Sequence, residues 1–119
     1  MTTGKEIGYQ KRTLPNEKED TMSAYVIANY TVHDEKKYEK YPQAVMASVK
    51  QYGGRYLVRD GDAKSKGCPH KRLVIIEFES EEAAWRWYES PEYTAIKHYR
   101  EEASEGWGAM VPGYVPTED

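Results

Sequence analysis

The run from Tyr52 to Tyr93 constrains the fold more than any other part of the chain. It reads YGGRYLVRD, then KRLVIIEFES, then EEAAWRWYESPEY. A glycine pair ahead of an aromatic and β-branched run predicts a helix stop followed by a strand at Arg55–Arg59. Asp60 to Lys71 (DGDAKSKGCPHK) is rich in turn residues and predicts a polar loop. Arg72–Phe78 carries the strongest strand signal in the sequence. Ser80 then opens a helix, because its hydroxyl can cap first-turn amides and Glu81 and Glu82 complement the helix dipole.

The flanks complete the pattern. Ser23–Val32 (SAYVIANYTV) reads as a strand. Asp34 is an N-cap, and the helix behind it places Tyr38, Tyr41, Val45, Val49 and Tyr52 on one stripe. Pro42 falls inside that helix and is expected to kink it. Ser90-Pro91 is a second cap that restarts the next helix and turns Ile96 and Tyr99 inward. Gly106 and Gly108 are expected to end it, leaving Ala109–Tyr114 as a last edge strand that tolerates Pro112. The order is β-α-β-β-α-β, an α+β ferredoxin-like fold with an antiparallel sheet.

At 119 residues the chain holds one core. Residues 1–21 combine Gly, Pro and dense charge without apolar periodicity, which predicts a flexible arm before a domain over 22–119. A net charge of -3 from mixed signs argues against a nucleic-acid surface. No apolar run nears the ~20 residues that span a bilayer, and no secretory signal opens the chain. The single Cys68 cannot close an internal disulfide, so a cytoplasmic location is expected. Eleven tyrosines against one phenylalanine suit half-buried surfaces and wet pockets. The plainer alternative is that a small polar domain uses Tyr where a larger one uses Phe.

In this order, AYVIANYTVHDEKKYEKY, YGGRYLVRD, KRLVIIEFES and WYESPEY resemble a conserved bacterial family, the Domain of Unknown Function 1330. The likeness spans about Ser23 to Tyr114. That family is similar to the dimeric α/β-barrel group, in which two ferredoxin-like subunits press their sheets together. The group includes cofactor-free oxygenases of aromatic polyketides, polyketide cyclases, lactone isomerases and haem-degrading enzymes. The resemblance therefore implies the fold and a homodimer rather than a reaction. The family continues the arginine strand with two glycines, whereas Asp60-Gly61 follows Arg59 here, and the next loop is shortened.

Strand alternation sorts the candidate site residues. Val26, Ala28, Val58, Val74, Ile76 and Phe78 are apolar and are expected to meet the helices. The other face mixes Ile27, Leu57 and Ile75 with Tyr25, Asn29, Arg55, Arg59 and Glu77, and would line the interior of a two-sheet dimer. A buried Glu77 there either pairs with Arg55 or Arg59 to fix register, or acts as a general base with a raised pKa. In the second case an arginine anchors an anionic ligand. Tyr38 and Tyr41 share a YxxY spacing that recurs in the family, and their hydroxyls can reach a pocket between helix and sheet. Core packing explains the same spacing. His98 is a possible base, or a half-exposed helix residue. The histidines lack ligand spacing, and Cys68-Pro69-His70 alone is no zinc site, so neither metal nor cofactor is expected. Cys68 reads as an ordinary thiol and Ser90 as a cap. Two functions stay open. One is a cofactor-independent enzyme that moves a proton, cyclises or isomerises an anionic or phenolic metabolite. The other is a non-catalytic ligand-binding or accessory dimer.

Overall fold

The fold was taken from a computed structural model, in which residues 23–64, 67 and 70–115 are described. The arm expected over residues 1–21 and the thiol of Cys68 lie outside the described residues. The elements run β1 (Ala24–Val32), α1 (Glu35–Tyr38), α2 (Tyr41–Gln51), β2 (Arg55–Asp62) and β3 (Arg72–Phe78). They continue with α3 (Glu81–Tyr88), α4 (Pro91–Thr94), α5 (Lys97–Glu101) and β4 (Ser104–Pro112). The four strands form one antiparallel sheet in the order β2-β3-β1-β4, so the fold is the ferredoxin-like α+β arrangement. Among the described residues no helix is long and apolar enough to cross a membrane.

One face of the sheet carries the helices. Val74, Ile76 and Phe78 on β3 are buried there, with Tyr30, Val26 and Ala28 of β1 packed beside them. The predicted stripe of α1 and α2 meets this face through Tyr38, Tyr41, Val45 and Val49, all buried. Trp87 of α3 stacks between Tyr93 at 4.3 Å and Phe78 at 5.5 Å, joining the second helical layer to the sheet. Ser48 links the two layers. It donates to the Val45 carbonyl at 2.8 Å and accepts from the Trp87 indole nitrogen at 2.9 Å.

The caps lie where the sequence puts them. Asp34 accepts from the Lys37 amide, Ser80 from Ala83 and Ser90 from Tyr93. Gly53 ends α2 at φ 83°, a conformation that costs glycine little. The kink expected at Pro42 is replaced by a full break at Glu39–Lys40. Pro42 stands in the first turn of α2, where its missing N–H is no loss.

Three other expectations change. Strand β2 runs on to Asp62, with Ala63 N donating to Lys71 O, so the polar loop is shorter than DGDAKSKGCPHK suggests. Strand β4 begins at Ser104, taking in Gly106 and Gly108 rather than being preceded by them. Opposite Gly106, a Cβ would run into the backbone of Asn29 and Tyr30, so the strand needs a glycine there. Lastly, β2 slips register against β3 between Tyr56 and Val58 and again between Val58 and Gly61. Each slip inserts a residue and breaks strict alternation. Val58 pairs with Ile75 on the open face instead of meeting the helices, and Arg59 turns to the helical side.

Replacing Ser48 with alanine strands the buried Trp87 N–H without an acceptor. The expected loss is about 1–3 kcal/mol in urea unfolding, the usual penalty for an unpaired buried donor, with Trp87 emission as the probe.

Candidate functional site

The residues proposed from sequence separate onto two faces. On the open face, Tyr25, Arg55 and Glu77 come together. Glu77 accepts from Arg55 Nε at 2.7 Å and from the Tyr25 hydroxyl at 3.3 Å. These contacts, the Arg55 hydrogen bond foremost, hold the Glu77 carboxyl below the usual carboxylate range. That direction is opposite to the raised pKa expected of a desolvated base. Asn29 is fully buried and spends its amide on the His70 and Arg72 carbonyls, both at 2.9 Å, tying β1 to the end of the β2–β3 connection. His98 stacks on Tyr99 at 4.1 Å and does not line the cavity described next.

Between the helices and the sheet lies a cavity of about 340 Å³, within the range of small-molecule sites. Tyr38, Tyr41 and Arg59 line it, so three of the eight candidates converge there. The rest of its polar wall was not among the candidates: Tyr30, Tyr56, Asp60, Tyr93 and Arg100. Apolar side chains fill the gaps, and Trp85 and Tyr88, partly exposed, stand at its margin.

Arg100 is the centre of this wall. Its guanidinium lies 5.6 Å from the Tyr30 ring and 6.0 Å from the Tyr41 ring. Among the described residues no carboxylate lies within ion-pair distance of it. Burial works against its charge, but the Tyr41 and Tyr93 oxygens outweigh that and shift its pKa upward, so it stays cationic. The phenols form two hydroxyl pairs, Tyr30 with Tyr38 at 2.7 Å and Tyr41 with Tyr93 at 3.3 Å. Burial raises the pKa of Tyr30, Tyr38, Tyr41 and Tyr56 above the ordinary phenol value. They are neutral at physiological pH, and serve as hydrogen-bond donors and acceptors rather than bases.

A sequence signal for Arg100 existed. Tyr93, Ile96 and Arg100 are spaced three and four apart, which puts a cation on the inward stripe of the last helical segment. The Tyr30 position was equally visible as a neighbour of Val26 and Ala28 in strand alternation. No group of three or more His, Cys, Asp or Glu among the described residues is placed to hold a metal.

The model of the family described as Domain of unknown function (DUF1330) matches residues 23–114. The chain belongs to this family. Its fold is shared by a protein of unknown function from Rhodopseudomonas palustris, with TM-score 0.64 and 12% identity over 80% of this chain and 85% of that one. It is also similar to SnoaB, a cofactor-independent oxygenase from Streptomyces nogalater. There the TM-score is 0.59 and the identity 12%, over 82% of this chain and 96% of that one. No curated protein matches the chain. At these identities the likeness establishes the architecture of the family member and leaves its chemistry to its own cavity.

The buried phenols set an alkaline limit. The folded protein holds their protons more tightly than the unfolded chain, in which tyrosine ionises near pH 10. Their contribution is therefore intact below about pH 10 and declines as pH rises toward the folded values. Stability in urea should fall steeply above that point, with part of the phenolate absorbance appearing only together with unfolding. Full ionisation of all tyrosines in a still-folded protein would contradict this.

Proposed function

We propose that this protein is a small-molecule enzyme that binds an anionic or phenolic metabolite in the aromatic cavity and moves a proton on it without a cofactor. The observation that carries the reading is the Arg100 guanidinium, half-buried among neutral phenols with no carboxylate partner among the described residues. Such a cation is a preformed counter-charge for an oxyanion. It gains most when negative charge develops on a bound enolate or phenolate, which lowers the barrier to proton removal, cyclisation or isomerisation. Tyr38 and Tyr41 orient the ligand through their hydroxyls, and Arg59 draws anions to the cavity. Arg100 thus takes the anchoring role expected of Arg55 and Arg59, while Glu77 and His98 have no part in it. That SnoaB is a cofactor-independent oxygenase on the same architecture is in keeping with such chemistry.

The open face of the sheet supports assembly as a homodimer. Leu57, Trp107 and Val111 are 48%, 48% and 37% exposed, around the partly buried Ile27 and Ile75. A contiguous apolar surface of this kind usually marks an interface. The lone cysteine keeps the reducing cytoplasm as our choice of compartment.

Binding of 2-naphthoate, followed by quenching of Trp85 and Trp87 emission, tests the cation. Arg100→Gln should weaken it at least tenfold, because a hydrogen bond to a charged group contributes about 1.5–3 kcal/mol. Unchanged affinity would remove the basis of the reading. Catalysis is tested by NMR exchange of the ring-activated methylene protons of 2-tetralone in deuterium oxide. The wild type should speed this exchange and Arg100→Gln should not; binding without faster exchange would favour the non-catalytic alternative. Separately, Ile75→Glu should halve the mass seen by light scattering, and a wild-type monomer would overturn the dimer.

A further inference from the structure

Asp60 is the one carboxylate lining the cavity among the described residues, and its position is unusual in two ways. It sits at φ 60°, the left-handed region that non-glycine residues rarely enter and that Asp tolerates better than most. It lies where β2 slips register against β3 between Val58 and Gly61, in the bulged segment that also turns Arg59 to the helical side. A residue that keeps a side chain at a backbone position suited to glycine places that carboxylate in the wall at a conformational cost.

The cavity is consequently polar at two separate points. Arg100 comes from α5, which precedes the edge strand β4, and Asp60 comes from the opposite edge strand β2. The paired hydroxyls of Tyr30 and Tyr38 line the same cavity, and both charges act on them. Tyr30 and Asp60 also border a shallow hollow beside β2, so both belong to a thin part of the wall.

Two cations face Asp60. Arg59 is its chain neighbour and lines the same cavity. Arg72 approaches it at 3.4 Å, through Nη1 and Oδ2 alone. That contact is long for a charge-assisted hydrogen bond, which closes to about 2.7–2.9 Å. Arg72 is also shared with Glu35 at 3.8 Å and lies over the Tyr38 ring at 5.2 Å. Neither the pair nor its geometry uses the acceptor capacity of the carboxylate, which has two oxygens and about four lone-pair sites.

Resting on the reading that Arg100 holds the ligand's anionic group, we infer that Asp60 is a specificity determinant that accepts a hydrogen bond from the ligand's other end. The substrate class is then an aromatic anion that also carries a hydroxyl, or another N–H or O–H donor, remote from its charged group. A ligand with hydrogen in place of that donor forgoes this contact and is bound less tightly.

Two probes isolate this contact: 2-naphthoate, which has the carboxylate alone, and 6-hydroxy-2-naphthoate, which adds a distant hydroxyl. Their affinity ratio in the full-length wild type is expected to favour the hydroxylated probe by about tenfold, the effect of a hydrogen bond to a charged acceptor. Asp60→Gly relieves the backbone while removing the acceptor, and the ratio should fall to about one. Asp60→Asn keeps the shape and the left-handed tolerance but loses the charge, and should give an intermediate ratio; thermal melting confirms that both variants fold. A tenfold preference that persists in Asp60→Gly overturns the role of Asp60, and leaves the cavity reading intact if Arg100→Gln still weakens both probes. If Arg100→Gln weakens neither, the cavity reading fails and this inference fails with it.

Discussion

Withdrawing a guanidinium from water is costly unless its charge is answered. Arg100 is half-buried, the rings of Tyr30 and Tyr41 lie within cation–π distance of it, and the Tyr41 and Tyr93 oxygens favour its charged form. Much of the helical layer is arranged around this requirement. Tyr41 opens α2, Tyr93 lies in α4, and Tyr30 comes from the central strand. The broken second helical segment follows from the same need, because α4 and α5 turn separately to bring a phenol and the cation onto one cavity. Tyrosine serves here where phenylalanine would not, since each ring supplies both an apolar wall and a polar tip.

The parts of the fold legible in the sequence are those decided by local chemistry. Caps at Asp34, Ser80 and Ser90 depend on one side chain and a nearby amide, and each forms as read. The alternation of β1 and β3 was readable because both strands keep regular pairing over their length, Tyr25 to Glu77 and Ile27 to Ile75 among others. Strand β2 was misread for the converse reason. Its bulges arise from how it pairs with β3, and a single-strand pattern carries no trace of a slipped partner. The departure at Asp60-Gly61 was visible, yet its effect on Arg59 and Val58 was not.

The candidate site was legible by residue type and only partly by place. Glu77 and His98 are the kinds of side chain that move protons, but long-range neighbours fixed their roles. Arg55 and Tyr25 hold Glu77 ionised on the open face, and Tyr99 stacks on His98 away from the cavity. Strand alternation puts Asn29 among the polar candidates of the open face. Its complete burial shows the commoner reason for such a residue, the satisfaction of carbonyls that would otherwise lack donors. Arg100 was overlooked because arginine near a helix end usually means a solvated charge complementing the dipole.

The sheet is one strand layer thick, and its two faces have unrelated tasks. Val26 and Ile76 look toward the phenols and the cation, whereas Ile27 and Ile75, one residue along the same strands, look the other way. Successive codons therefore write to different surfaces. A lineage carrying this fold can rebuild the cavity wall while leaving the open face untouched, or alter the open face while keeping the cavity. Only β2, where slipped pairing mixes the faces within a few residues, couples the two inheritances.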